Sequence, residues 1–388
     1  MCPAVTGRHT EHQSTPETEE RDMSAQHALT HQVSQVLPER ACQLAEALSA
    51  WLRGGGTQQP DGAFCGWQEP DGRLSYPYPE ITGYILTFFA HETLAAPERK
   101  RADAAAAWLA DRIDGGDYSC RPDHGDGRVF LFDIGMITHG LLSYGRRAGD
   151  QRLLASGRTA ARFLLDHLPA TGHPHPLASG KRPTGAEPTW SNSGSAHLLK
   201  LLQALVSADD AGVTGAAEAA GRLVDAMLAE PCPPAAAPVV TCPGSDLISL
   251  HAACYAAEGL WIWDTARHRP EARERAVRIT EWVWQQQLAE GGFTTYAHRT
   301  RGPASDRTQS DVLAQAIRLA KLLDLRPDGF DAAVSTLAGS LHTGDGKAAV
   351  LYWPQVAEPH RNSWGSMFAC QALRLCGGKA GLAWHELI

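Results

Sequence analysis

No stretch of this 388-residue chain approaches the ~20 consecutive apolar residues that a membrane helix needs, so a membrane-spanning protein is not expected. Basic blocks are also missing, and the formal charge of -8 argues against a nucleic-acid partner. The nine cysteines are odd in number, scattered, and form no C-x-x-C pair. They read as small buried hydrophobes rather than disulfides or zinc ligands. Dinucleotide and phosphate-binding glycine motifs, H-E-x-x-H and G-x-S-x-G are absent too. Hence no cofactor and no metal are expected. Residues 1–34 are polar and lack the apolar centre of a signal peptide, so they are expected to form a disordered tail on a cytoplasmic protein.

What is present is helical periodicity. At 43% hydrophobic and 20% charged the balance is globular, and a chain this long buries a sizeable core without staples. The spacing predicts twelve helices, at 35–53, 80–95, 98–113, 131–148, 150–168, 191–208, 214–229, 246–266, 270–289, 309–324, 328–341 and 363–377. Strand-like runs are short and fall in the connections. Long loops rich in glycine and aromatics precede helices two, four, eight, ten and twelve, whereas Gly149-Asp150 and Arg269-Pro270 are tight junctions. Alternating loop lengths suit six hairpins closed into a ring, an all-α (α/α)6 toroid over 35–388, with one helix of each pair inside and the long loops on one rim. An open helical solenoid is the alternative.

The even-numbered helices carry polar groups that an ordinary core avoids. In YPEITGYILTFF, Glu80 and Tyr84 are four apart and share a face, with Tyr78 just ahead. A first-turn carboxylate complementing the helix dipole is the plainer account of Glu80. Asp133 sits among apolar residues in FLFDIGMITHGLL and is either a site carboxylate or an N-cap. In SDLISLHAACYAAEGLWIW, His251, Tyr255 and Glu258 fall at i, i+4 and i+7. A buried carboxylate near His and Tyr is suited to acid/base work, because desolvation raises its pKa. A structural hydrogen-bond network is the other reading. Asp311, Gln315 and Arg318 repeat the stripe on helix ten, where Asp311 can also serve as a cap. Trp190, Arg361 and Trp364 stand at the openings of helices six and twelve, with aromatic and charged chemistry suited to a sugar.

Taken together, YPEITGY, FDIGMITHGLL, HAACYAAEGL, SDVLAQAIRL and NSWGSMFACQAL resemble the VpsJ-like polysaccharide-biosynthesis proteins of the six-hairpin glycosidase-like superfamily, over roughly residues 60–377. The resemblance implies an (α/α)6 toroid acting in carbohydrate metabolism, with Glu80, Tyr84, Asp133, His251, Glu258, Asp311 and Gln315 at its site. The segment QQQLAEGGF is similar to repeats of triterpene cyclases, but their Asp-x-Asp-Asp signature is missing.

The expected function is therefore a carbohydrate-active enzyme that cleaves or rearranges a glycoside or uronide by carboxylate acid/base catalysis. Glu258 is the expected acid/base and Asp311 or Glu80 its partner, with Asp133 and His251 as further catalytic candidates. Tyr78, Tyr84, Trp190, Tyr255, Gln315, Arg361 and Trp364 are the expected substrate-binding residues. The expected partner is a small-molecule or oligosaccharide substrate. A cofactor-independent sugar epimerase, a cyclase for a natural-product intermediate and a non-catalytic glycan-binding toroid are the alternatives.

Overall fold

The computed structural model describes residues 38–120, 127–179, 189–232 and 237–388. The expected tail at 1–34 lies outside the described residues. Twelve helices of two turns or more occur among them. They are α1 (38–53), α2 (Pro79–Ala90), α3 (Ala96–Asp114), α4 (Leu131–Ala148), α5 (Gln151–His167), α6 (Leu201–Asp210), α7 (Ala216–Ala229), α8 (Leu250–Arg267), α9 (Pro270–Trp284), α10 (Ser310–Leu322), α11 (Phe330–Gly339) and α12 (Ser363–Cys376).

Local chemistry sets many of the boundaries. Pro79 and Pro270 open α2 and α9, where the missing N–H costs nothing. Asp150, Ser249 and Asn362 cap α5, α8 and α12 by accepting first-turn backbone N–H groups. Gly149 ends α4 in the left-handed conformation.

Burial separates two kinds of helix. All 12 residues of α2 are buried, as is the unbroken run Leu250–Trp263 of α8. By contrast α3 buries only Ala102, Ala105, Ala106, Leu109, Ala110 and Ile113, one stripe of a surface helix. The even helices are thus the inner wall. Each packs on the next: α2 on α4, α4 on α6, α6 on α8, α8 on α10, α10 on α12, and α12 back on α2. The ring is closed, so the solenoid alternative does not describe it.

Two features tighten this ring. A Cβ added at Gly140 of α4 would lie 2.2 Å from the Gly83 carbonyl oxygen of α2, so these helices touch backbone to backbone. On the rim, β1 (Trp67–Gln68) of the first long loop pairs with β9 (Arg361–Asn362) of the last, within the sheet β1-β9-β8-β7 formed with β7 (Leu341–Gly344) and β8 (Lys347–Leu351). The remaining strands are β2 (Val129–Phe130) with β3 (Leu177–Ser179), and β4 (Leu247–Ser249) with β5 (Tyr296–His298) and β6 (Gly302–Pro303).

The expected helix at 191–208 is corrected. Trp190–Ser193 forms one turn, Gly194 breaks it in extended conformation, and a 3-10 segment, Ala196–Lys200, leads into α6. Any side chain at Gly194 would meet the Thr241 carbonyl oxygen at 1.8 Å, so the chain turns there against its neighbour. The connection ahead of α6 is also long, which makes the rim pattern regular around the ring. No helix among the described residues is long and apolar enough to cross a membrane.

Candidate active site

The N-terminal ends of the inner helices surround a cavity of about 490 Å³, within the usual range of small-molecule sites. Its walls are largely aromatic: Tyr76, Tyr78, Phe130, Phe132, Trp190, Tyr296, Tyr352, Trp353 and Trp364. The polar lining groups include Glu80, Asp133, His197, Ser249, His251, Thr295 and Gln309.

The floor is a hydrogen bond across the ring. Tyr84 Oη of α2 donates to Tyr255 Oη of α8 at 3.0 Å, and both phenols are buried. Phe132 leans on Tyr255 with ring centroids 4.8 Å apart, and Phe368 meets both tyrosines edge-on. Burial holds both phenols well above their usual pKa, so they remain neutral.

On one wall, Glu80 from the first turn of α2 and Asp133 from the first turn of α4 line the cavity within interaction range of each other, with the Tyr78 hydroxyl also beside Glu80. Burial pushes the Glu80 carboxyl up to about 7, against the pull of the bonds from Tyr78 and Asp133. Glu80 therefore exchanges its proton near neutral pH. Asp133 is not an N-cap: Phe130 occupies that position and Asp133 points to the cavity wall.

Across the ring stands His251, in the first turn of α8. Its Nδ1 lies 2.7 Å from Gln315 Oε1 and 3.7 Å from Asp311 Oδ2. Trp190 and Tyr255 meet its ring edge-on at 5.5 and 4.4 Å. Burial, with the nearby His251, lowers His197 to about 3, so it is a neutral wall residue.

Beneath the floor lies a buried ionic cluster. Glu258 accepts from Arg318 Nη2 at 2.5 Å and Lys200 Nζ at 3.1 Å, and all three side chains are 0% exposed. Gln315 Nε2 also donates to Glu258 Oε1 at 3.2 Å. Burial alone would raise the Glu258 pKa, but the two cations outweigh it and hold the carboxyl below its ordinary value. The same burial lowers Lys200 to about 8, opposed by Glu258.

Of the residues expected at the site, Tyr78, Glu80, Asp133, Trp190, His251, Tyr255 and Trp364 line the cavity together. The others do not. Tyr84 is in the floor, while Glu258, Asp311 and Gln315 are fully buried behind the lining. The expectation of Glu258 as a raised-pKa acid facing substrate is corrected: it is a paired carboxylate below the floor. Asp311 accepts from Trp364 Nε1 at 2.8 Å and holds that indole at the cavity wall. Arg361 lies on the rim in β9, bonded to Gln68 Oε1 at 2.9 Å. Sequence reasoning missed Lys200, a lone cation in the apolar run AHLLKLLQAL, and the lining pair Gln309 and Tyr352, bonded at 2.8 Å. The lone lysine was a usable signal; the pair had none. Among the described residues no three His, Cys, Asp or Glu side chains cluster as metal ligands would.

No family model and no curated protein matches the chain. Solved structures do. A cellobiose 2-epimerase from Spirochaeta thermophila is 17% identical, with a TM-score of 0.64 over 90% of this chain and 98% of its own. A D-mannose isomerase is 12% identical, with a TM-score of 0.66 over 85% and 96%. An unsaturated glucuronyl hydrolase specific for heparin is 13% identical, with a TM-score of 0.60 over 88% and 96%. The chain has the (α/α)6 toroid fold of the six-hairpin glycosidase-like enzymes. At these identities the likeness is one of fold, and the chemistry must be argued from the toroid's own cavity.

Proposed function

We propose that this toroid is a carbohydrate-active enzyme in which Glu80 and Asp133 act as the general acid/base pair on a sugar held in the cavity. The observation that carries the reading is two buried carboxyls within interaction range at the wall of an aromatic-lined cavity, with Glu80 raised to about 7. A carboxyl that exchanges its proton near neutral pH beside a second carboxyl is suited to serve as acid and base. The aromatic walls suit the faces of sugar rings, and the three structural relatives are named for enzymes acting on sugars. The narrower resemblance to VpsJ-like polysaccharide-biosynthesis proteins belongs to the same proposal.

The test is a panel of aldohexoses, reducing disaccharides and disaccharides ending in an unsaturated uronate, followed by NMR. Turnover of one class is expected, with Glu80→Gln and Asp133→Asn each losing about 10²–10⁴-fold in kcat while remaining folded. No turnover of any class, or variants as active as the parent, would reject the proposal.

One observation favours epimerisation or isomerisation over cleavage. His251 stands on α8, across the ring from Glu80 on α2, and the Tyr84–Tyr255 bond ties these two helices together. A sugar between them has one proton-transfer group on each face. Solvent deuterium entering a single carbon of recovered sugar, without bond cleavage, supports this branch. Cleavage products without exchange support hydrolysis or elimination.

A further inference from the structure

His251 touches the cavity, but its state is set from behind. Glu258 can only accept hydrogen bonds, because Arg318 and Lys200 hold it as a carboxylate. The Gln315 amide must therefore turn its Nε2 toward Glu258, at 3.2 Å. Its Oε1 then faces His251 Nδ1, at 2.7 Å. An amide oxygen accepts and does not donate, so Nδ1 must carry the imidazole hydrogen.

The remaining nitrogen, Nε2, makes no hydrogen bond among the described residues and belongs to a ring that lines the cavity. The chain of constraint continues backward: Arg318 is fixed by Gln371 Oε1 at 2.6 Å and by the face of Phe368, 4.6 Å from its carbon Cζ. All of Glu258, Gln315 and Arg318 are fully buried, so water cannot substitute for a lost partner.

We propose that Gln315, itself oriented by Glu258, is a positioning residue that fixes His251 in the Nδ1–H tautomer and leaves the Nε2 lone pair facing substrate as a base. This deepens the functional reading above and rests on it only for the role of the base. It also gives the buried cluster a task at the site: Glu258 acts through two other side chains and touches no substrate. Asp311 Oδ2, at 3.7 Å from Nδ1, adds a favourable negative charge but is occupied by the Trp364 indole N–H, so the short bond to Gln315 sets the tautomer.

The experiment is long-range ¹⁵N–¹H NMR of the imidazole nitrogens in the substrate-free protein at a pH where His251 is neutral. The His251 signals are assigned by their loss in His251→Gln. The parent protein is expected to show a protonated Nδ1 and an unprotonated Nε2. In Gln315→Met, of similar volume but without the amide, the unprotonated signal is expected to shift partly or wholly to Nδ1. An Nε2–H tautomer in the parent overturns the proposal without any variant being needed. An unchanged Nδ1–H tautomer in Gln315→Met also overturns it, since Asp311 would then suffice. No sugar enters the measurement, so its failure removes the relay and leaves the enzymatic reading standing. Failure of the sugar panel leaves the tautomer result intact.

Discussion

Glu80 and Glu258 are both buried carboxyls on inner helices, and their surroundings send their protons in opposite directions. Burial raises Glu80 from an ordinary 4.5 to about 7, against the opposing pull of Tyr78 and Asp133. Its native state therefore binds a proton more tightly than the unfolded chain, and stability falls as pH rises between these values. Glu80→Gln is expected to leave stability unchanged below about pH 4.5 and to raise it by up to about 3 kcal/mol above pH 7. Urea unfolding at pH 4 and pH 8 checks the difference. Glu258 is the reverse case, a carboxylate stabilised by two cations, and its contribution is lost as pH falls through its depressed pKa. Glu258→Leu is expected to cost about 3–5 kcal/mol at pH 7, because it leaves Lys200 and Arg318 buried without their shared partner. The double variant Glu258→Leu with Lys200→Met should recover part of that loss in the same unfolding assay. The sequence marked Glu258 as unusual but not its depth. Seven residues separate it from His251, which on a helix is about 10 Å along the axis. His251 at the mouth and Glu258 below the floor thus share one stripe and have different work.

The inner helices show why periodicity exposed so much of the fold. Their positions are buried all round, while the outer helices keep a single stripe, and both patterns are plain in the residues. The loops were harder. The segment 57–64 and the segment 286–293 use the same device at two places in the ring: Gln58 and Gln287 each donate to a glycine carbonyl in their own loop and to a backbone carbonyl at the next outer helix. QQQLAEGGF, the segment similar to cyclase repeats, forms this clamp, which here is architectural. The opening of α6 defied the periodicity because Gly194 is dictated by the Thr241 backbone beside it, a contact between residues far apart in the chain. The α2–α4 contact makes a sharp prediction. Gly140→Ala places a methyl group against the Gly83 carbonyl, and two backbones must separate to admit it. A loss of at least about 3 kcal/mol is expected, read as a lower urea midpoint. Alanine at exposed Gly116 is no control, since its φ of 75° strains any side chain; Gly221, on the outer helix α7 with open space around it, is the suitable one.

At the scale of the whole molecule, closure of the ring was legible from the alternation of loops, whereas the filling of its lower end was not. The segment Trp384–Ile388 enters the end opposite the cavity. Gln203 Nε2 donates to the carbonyls of Trp384 and Leu387 at 2.9 and 2.6 Å, Gln371 Nε2 to that of Glu386 at 2.6 Å, and His139 Nε2 lies 3.1 Å from that of His385. Leu387 and Ile388 are fully buried. Nothing in the short sequence AWHELI signals this, because its partners come from α4, α6 and α12. Removing Trp384–Ile388 is expected to cost about 5 kcal/mol or more, from two apolar side chains and three unpaired buried polar groups. A fall in thermal midpoint, with the helical circular dichroism retained at low temperature, is the expected result.

The tyrosine pair that bridges α2 and α8 has a further consequence. Together with the C-terminal segment that fills the opposite end, it makes the centre of the ring a blind chamber. Under the proposed function, a glycan longer than the cavity would present only its terminal units to Glu80, Asp133 and His251. Action on such a substrate would then be confined to chain ends, and each product would leave by the entrance before the next sugar entered.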